Sequence, residues 1–444
     1  MRRRNVFQLC IQISVLTVLV FLYGLSLFVD PPEYWETVAV SALMLILLGA
    51  GCVKLVPTLL TMLLGEEERH LIRTGERTFR RCGTRELLKL FLVVLFVRAL
   101  EFPLTYIVHF RLFGYSGTFF EVQRLWLDFY HAESAFPLYG FLSNVFWIFT
   151  FNFNHARFIG SYVFTALAVV ALYYLVQQDF DRKIARRSVR YILLMPFSFV
   201  LMATLPDGLY LLLSILCLLF IRKRMFPLAN LFAMLATATH ALGVLLFLPI
   251  VVAYLSYLIG VIRANHEVSR GYYFRQAGNV VSMLLVPIGV LLVMLYAKLR
   301  FGDPMTLYRQ ALHAGDAPFS ELFRWLDEAT AQTLKIGGGS AVTVCAQILP
   351  QLLYLFFALA MIILACGRLS SPSVLLMIVT VPVIFATGHV QDSARIVSMT
   401  APFVVTLAVR VKNRWVDAAI TVLLLAGWIA YFFAFIAGAT GGIG

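Results

Sequence analysis

The sequence predicts an all-α fold, a polytopic helical membrane protein of about 13 spans. Three observations predict it. Of the 444 residues, 61% are hydrophobic and 13% charged, where a soluble domain has about a quarter charged. The apolar residues fall in long continuous runs rather than short alternating ones. Helices and closed barrels are the structures that satisfy the backbone in hydrocarbon, and long runs select helices. The basic residues gather in short segments between the runs, as they do in loops held on the cytoplasmic side.

A span needs about 20 apolar residues. On that length the chain offers candidates near 8–28, 37–63, 87–110, 158–177, 189–205, 207–221, 226–239, 242–260, 278–297, 343–366, 373–387, 395–409 and 416–437. The first follows Arg2, Arg3 and Arg4 and reads as an uncleaved helix, its apolar stretch being too long for the core of a cleaved leader. Segment 136–153 is also apolar but is left out for reasons of parity. Loop 66–86, with Arg69, Arg73, Arg77, Arg80, Arg81 and Arg85, and loop 177–190, with Arg182, Lys183, Arg186, Arg187 and Arg190, both read as cytoplasmic, so an even number of spans separates them. Spans 87–110 and 158–177 supply that number. Segment 136–153, rich in Phe and Tyr with Trp147, is then expected along the outer interface or as a re-entrant piece. The same logic places the N-terminus, 222–224, 263–275, Arg368 and 410–414 on the cytoplasmic side. Segments 31–36, 110–135, 206–208, 300–340 and 389–392 fall on the other. The chain divides into an N-terminal two-helix unit with a basic linker (1–86), a core (87–410) and a last span (411–444).

A net charge of +13 would point to nucleic acid in a soluble protein. Here it reads as topology, so the partners expected are membrane lipids and not nucleic acid. Cys10, Cys52, Cys217, Cys345 and Cys366 lie in apolar runs and Cys82 in a basic loop. None has metal-ligand spacing, and all read as reduced packing residues.

The long outer segments are where chemistry is expected. Residues 119–139 set Glu121, Asp128, His131 and Glu133 among aromatics beside a span. Such acids could act as a general base or hold a divalent cation, Mg or Mn, and they could equally be solvated loop charges. In 299–309, Asp303 can cap a helix start with Pro304 in its first turn. Arg300 and Arg309, with His313 close by, could form an anion site suited to phosphate. Asp207 sits in a Pro-Asp-Gly turn. His240 breaks an apolar run and reads as a packed, hydrogen-bonded residue or a ligand-binding one. Arg395 opens a span at its outer end, where it could snorkel or hold a phosphate. Arg98 and Glu101, within the third span, are expected to be functional or paired with each other.

Several of these stretches carry a resemblance. Ser134-Ala-Phe-Pro-Leu-Tyr139, Met195-Pro-Phe-Ser-Phe199 with Leu205-Pro-Asp-Gly208, Ala238-Thr-His-Ala-Leu-Gly243, Phe301-Gly-Asp-Pro-Met-Thr-Leu-Tyr308 and Ser393-Ala-Arg395 through Pro402 are similar in order and spacing to motifs of one family. It is the phosphatidylinositol-glycan class V (PIG-V) mannosyltransferase family, of the GT-C superfamily of polytopic glycosyltransferases. The match runs over roughly 88–410.

The resemblance implies a large first outer loop of interfacial helices carrying a catalytic acid and a polyprenyl-phosphate sugar donor. It implies transfer of a sugar, mannose in that family, to a lipid, glycan or protein acceptor on the outer or lumenal face. On this reading Asp128 or Glu121 is the base. Glu133, His131, Arg300, Asp303, Arg309, Arg395, His240 and Asp207 bind substrate, and the membrane is a bacterial inner membrane or the endoplasmic reticulum. The sequence departs from the family at three points. Trp126-Leu-Asp128 stands nearest to the expected Trp-Asp, Leu-Pro-Asp-Gly replaces Tyr-Thr-Glu-Ser, and Thr239-His240 replaces Thr-Arg. A catalytically inactive subunit of the same fold, or a flippase of a lipid-linked substrate, are therefore the competing expectations. The absence of an internal repeat speaks against the flippase.

Overall fold

A computed structural model describes residues 2–63, 82–107, 136–263, 270–311, 318–334, 348–386 and 392–436. Among the described residues the secondary structure is helical, with no strand. The helices are α1 (Arg2–Val29), α2 (Trp35–Leu63), α3 (Thr84–Ala99), α4 (Glu101–Ile107), α5 (Pro137–Ser143), α6 (Trp147–Thr150), α7 (Phe153–Asp179), α8 (Arg182–Leu194), α9 (Asp207–Arg222) and α10 (Phe226–Thr237). There follow α11 (Phe247–Arg263), α12 (Arg270–Ser282), α13 (Leu285–Phe301), α14 (Thr306–Ala311), α15 (Ser320–Leu334), α16 (Leu349–Ala365), α17 (Ser371–Ala386), α18 (Ser393–Ser398), α19 (Ala401–Arg410) and α20 (Arg414–Ile436). Short 3₁₀ turns occupy Asn144–Phe146, Ser198–Met202 and Ala241–Leu246.

Among the described residues six stretches are long and apolar enough to cross a bilayer: Phe7–Val29, Trp35–Thr61, Phe153–Asp179, Ala241–Arg263, Phe274–Phe301 and Arg414–Ile436. Shorter apolar helices, α10, α16, α17 and α19, accompany them. Large apolar side chains on α1, α3, α13 and α20, among them Phe21, Phe28, Phe96, Leu291 and Leu423, face outward. In water so much exposed apolar surface would associate; in a bilayer it is the lipid-facing wall. The fold is that of a multi-pass helical membrane protein.

Several expected spans are interrupted, and proline sets the breaks. The run 87–110 divides at Leu100, because Pro103 has no N–H to donate to Ala99. The run 278–297 divides at residues 283–284, below Pro287, and 395–409 at 399–400, below Pro402. The expected span 189–205 is not one helix. α8 starts earlier, at Arg182, and ends at Leu194, because Met195 is extended (ψ 133°) as the residue before Pro196 requires. The expected loop 177–190 is correspondingly absent. α7 runs to Asp179, Phe180 and Asp181 make the turn, and the arginines lie on α8. Segment 136–153 breaks into α5, a 3₁₀ turn and α6, stopped by Phe151 in the left-handed region (φ 50°).

The core forms where α7 packs against α3, α5, α8 and α9. A second group has α2 packed against α11, α15, α16 and α17, so the N-terminal pair is built into the bundle. Buried Arg98 and Glu101 pair at 2.6 Å, and Arg98 also donates to the Leu193 carbonyl at 3.2 Å.

The charges sort the bundle into two ends. At one, Arg222 pairs with Asp179 (2.5 Å), Arg187 and Arg190 with Asp417 (3.1 and 2.5 Å), and Arg410 donates to the Leu364 carbonyl (2.8 Å). At the other lie the N-terminus of α9, the C-terminus of α10, and α15, which docks on the α1–α2 turn. α9 alone separates the two by about 24 Å.

Candidate functional site

The end of the bundle opposite the basic one brings together the five segments singled out in the sequence. Pro137 opens α5 at N1, where a missing N–H costs nothing. The next residue, Leu138, donates its N–H to the Ala238 carbonyl at 3.1 Å, joining the first segment to the third. Phe136 meets Tyr308 edge to face at 5.5 Å, joining it to the fourth. Phe136, Ala241, Val293, Ala297, Leu307 and Tyr308 form one small apolar cluster.

The second segment enters through α9. Gly208 lies so close to α7 that a Cβ there would stand 2.4 Å from Thr165 Oγ1. This approach buries the first turn of α9 and with it Asp207, whose side chain has no solvent exposure. Its charge is met by Arg395 from α18: Nε donates to Oδ2 at 2.6 Å and Nη2 to Oδ1 at 2.9 Å. The two-pronged geometry is that of a guanidinium fork on a carboxylate. α18 is held in turn by Gln351, whose Oε1 accepts from Ala394 N (2.8 Å) and Ser393 Oγ (3.0 Å). One helical turn beyond Asp207, the Tyr210 ring lies 5.4 Å from that of His240.

His240 caps the 3₁₀ turn that follows it. Its Nδ1 accepts from the Leu242 N–H at 3.2 Å. The turn folds back on α10 so tightly that a Cβ on Gly243 would lie 2.3 Å from the backbone of Ala236 and Thr237. The glycine of the Thr-His-Ala-Leu-Gly stretch is thus there for backbone approach.

In the fourth segment α13 ends at Gly302, in the left-handed region (φ 83°), and Asp303 Oδ1 accepts from Met305 N at 3.0 Å. Asp303 also pairs with Arg309 at 3.1 Å, both side chains well exposed, so the contact is worth little. Arg300 is exposed on α13. Tyr308, absent from the sequence-derived candidates, is buried, and its hydroxyl has no hydrogen-bond partner among the described residues; burial pushes that hydroxyl up to about 12. An orphaned buried polar atom was not foreseeable from residue type or spacing.

Of the candidate residues, Asp207, His240, Asp303, Tyr308's neighbour Arg309, and Arg395 therefore share one end of the bundle. Glu121, Asp128, His131, Glu133 and His313 lie outside the described residues. Among the described residues no three His, Cys, Asp or Glu side chains converge as a metal site. Asp207 and Arg395, expected singly as substrate-binding residues, are paired with each other.

Fold and site together define a polytopic helical membrane protein with a polar, aromatic-lined junction at one end. A comparison of the chain with protein-family models and with curated proteins finds no match to either.

Proposed function

We propose that this protein is a membrane glycosyltransferase that moves a sugar from a polyprenyl-phosphate donor to an acceptor on the side away from its basic end, with mannose the sugar the resemblance favours. The observation that carries the reading is convergence. The five segments that resemble family motifs, spread over residues 134–402, are joined by the Leu138–Ala238 hydrogen bond, the Phe136–Tyr308 and Tyr210–His240 ring contacts, and the Asp207–Arg395 pair. A fold that used these segments only as span boundaries would have no need to bring them together.

The chemistry asks for little. The acceptor oxygen attacks the anomeric carbon, the bond from that carbon to the phosphate oxygen breaks, and the polyprenyl phosphate leaves with the bonding pair. A carboxylate takes the acceptor proton, a part assigned to Asp128 or Glu121. Because Arg395 is engaged by Asp207, the exposed Arg300 and Arg309 are the better-placed cations for the leaving phosphate. Asp207 and Arg395 then position the segments around the site.

The same pairing favours a second reading, a subunit that keeps the fold without catalysis, since it makes Asp207 and Arg395 structural. Purified protein given radiolabelled polyprenyl-phosphate mannose and a membrane-lipid acceptor separates the two. Label transfer that is lost in the double variant Asp128→Asn, Glu121→Gln supports the enzyme. Transfer unchanged in that variant rejects the assigned base, and no transfer by the unaltered protein supports the second reading.

A further inference from the structure

The Tyr308 hydroxyl is buried without a hydrogen-bond partner, and among the described residues no other hydroxyl is left so. Four other buried tyrosines show the contrast. Tyr139 donates to the Arg157 carbonyl at 2.9 Å, Tyr173 to Glu86 at 2.6 Å, Tyr191 to Asp417 at 2.6 Å and Tyr254 to the Gln276 carbonyl at 3.3 Å. An orphaned hydroxyl costs about 1–3 kcal/mol, a cost that phenylalanine at 308 would avoid while filling the same space. Folds rarely keep such a group without a use for it. Its partner is then one that arrives from outside the fold.

The surroundings decide what kind of partner. The buried side chains clustered with Tyr308 (Phe136, Ala241, Val293, Ala297 and Leu307) are all apolar. A trapped water would need two or more polar partners, and these side chains supply none. The cluster holds no cation either, and Arg309, the next residue, is exposed and tied to Asp303. A phosphate drawn into the cluster would be buried without a counter-charge. With its pKa pushed up to about 12 by burial, the hydroxyl keeps its proton at neutral pH and acts as a donor. It suits a neutral oxygen on a ligand with apolar surface of its own, as a sugar has in its hydroxyls and C–H faces. Position agrees, since the cluster joins three of the five converging segments through Phe136, Ala241 and Tyr308. α14, which carries Tyr308, is six residues long, hangs from α13 through left-handed Gly302 and packs chiefly on α13. A ligand can displace it without unpacking the bundle. Arg309 is one of the two cations assigned to the leaving phosphate, so a sugar joined to that phosphate would lie within reach of Tyr308.

We infer, resting on the transfer reaction proposed above, that the Tyr308 hydroxyl donates a hydrogen bond to a hydroxyl oxygen of the transferred sugar and so favours the sugar-bearing lipid over bare polyprenyl phosphate. Full-length protein in neutral detergent, titrated with polyprenyl-phosphate mannose or with polyprenyl phosphate and followed by native mass spectrometry, tests it. Tyr308→Phe is expected to bind the mannose-bearing lipid ~3–10-fold more weakly than the unaltered protein does, and bare polyprenyl phosphate equally well. Without ligand the variant should melt at the same temperature or higher, because it loses a polar atom that had no partner. A clear drop in that melting temperature would mean that the hydroxyl already has a partner within the fold, and would overturn the inference. So would an equal loss of affinity for the two lipids, or none for either. If the unaltered protein holds neither lipid, the transferase reading itself falls and takes the inference with it. If it holds both and Tyr308→Phe holds them as tightly, the inference alone falls.

Discussion

Asp207 and Arg395, 188 positions apart in the chain, meet through two hydrogen bonds of 2.6 and 2.9 Å with the carboxylate wholly buried. Their pairing fixes α18 against the start of α9 and closes the junction that the rest of the site is built on. Removing either partner leaves the other charged and buried, at a cost of about 3–5 kcal/mol. Asp207→Asn and Arg395→Gln should therefore each lower the thermal unfolding temperature sharply. The exchanged pair Asp207→Arg, Arg395→Asp should recover part of the loss. Single variants as stable as the unaltered protein would show the pair to be dispensable.

Asp327 makes the corresponding tie for the N-terminal helices. Its carboxylate accepts from the Glu33 N–H (2.8 Å), the Tyr34 N–H (3.3 Å) and the Thr37 hydroxyl (2.5 Å), so a residue of α15 caps α2 from outside. Arg324 reinforces it at Asp30 (3.2 Å), and Tyr23 packs its ring on Phe319 and Phe323. Loss of a cap costs about 0.5–2 kcal/mol. In Asp327→Ala, amide hydrogen exchange should rise at residues 33–37 and in α15 while α7 and α9 stay protected. Exchange unchanged at 33–37 would mean that the α1–α2 turn is held by its apolar contacts alone.

Gly243 tests the reason given for a motif glycine. A methyl group there meets backbone atoms at 2.3 Å, which cannot move aside as a side chain could. Gly243→Ala should destabilise by about 1–3 kcal/mol or more and displace His240, whereas Gly278→Ala, with open space around it, should be tolerated. Comparable melting temperatures for the two variants would argue against the close approach.

The α3–α7 contact should be sensitive to acid. The hydroxyl of Tyr173 on Glu86, helped by Arg182 and Arg186, holds that carboxyl below its ordinary value of 4.5. With the folded value depressed, the stabilisation is present above the ordinary value and is lost as pH falls through the lowered one. Melting temperatures of the unaltered protein and of Glu86→Gln, measured from pH 7 to pH 3, should differ most near neutrality and converge in acid. A constant gap across that range would assign the contact to packing.

The sequence made some of this architecture readable and hid the rest for identifiable reasons. The long apolar stretches of α1, α2, α7, α11 and α20 lie where hydropathy alone puts them, because length and lack of charge suffice. α8 was hidden because its arginines read as a loop. A helix that packs Ala185, Val189 and Ile192 inward can carry Arg182, Arg186 and Arg190 on its other face. The interruptions at Leu100, 283–284 and 399–400 follow from Pro103, Pro287 and Pro402, which a hydropathy window averages over. In the site, Asp207, His240 and Arg395 stood out singly as polar residues in apolar surroundings. Their relations did not: the ion pair spans 188 positions, and the Tyr210–His240 and Phe136–Tyr308 contacts depend on which helix ends meet. Tyr308 carried no signal at all, since an orphaned hydroxyl is a property of the packing around it.

The claim most exposed to test is that the five converging segments surround the donor. A photoreactive polyprenyl-phosphate mannose, cross-linked to the protein in bilayers and mapped by peptide sequencing, measures this directly. Labelling is expected at 136–139, 207–210, 238–243, 301–309 and 393–399, competed by unmodified polyprenyl phosphate. Labelling confined to the basic end of the bundle, or spread evenly along the lipid-facing walls of α1 and α20, would contradict the proposed site.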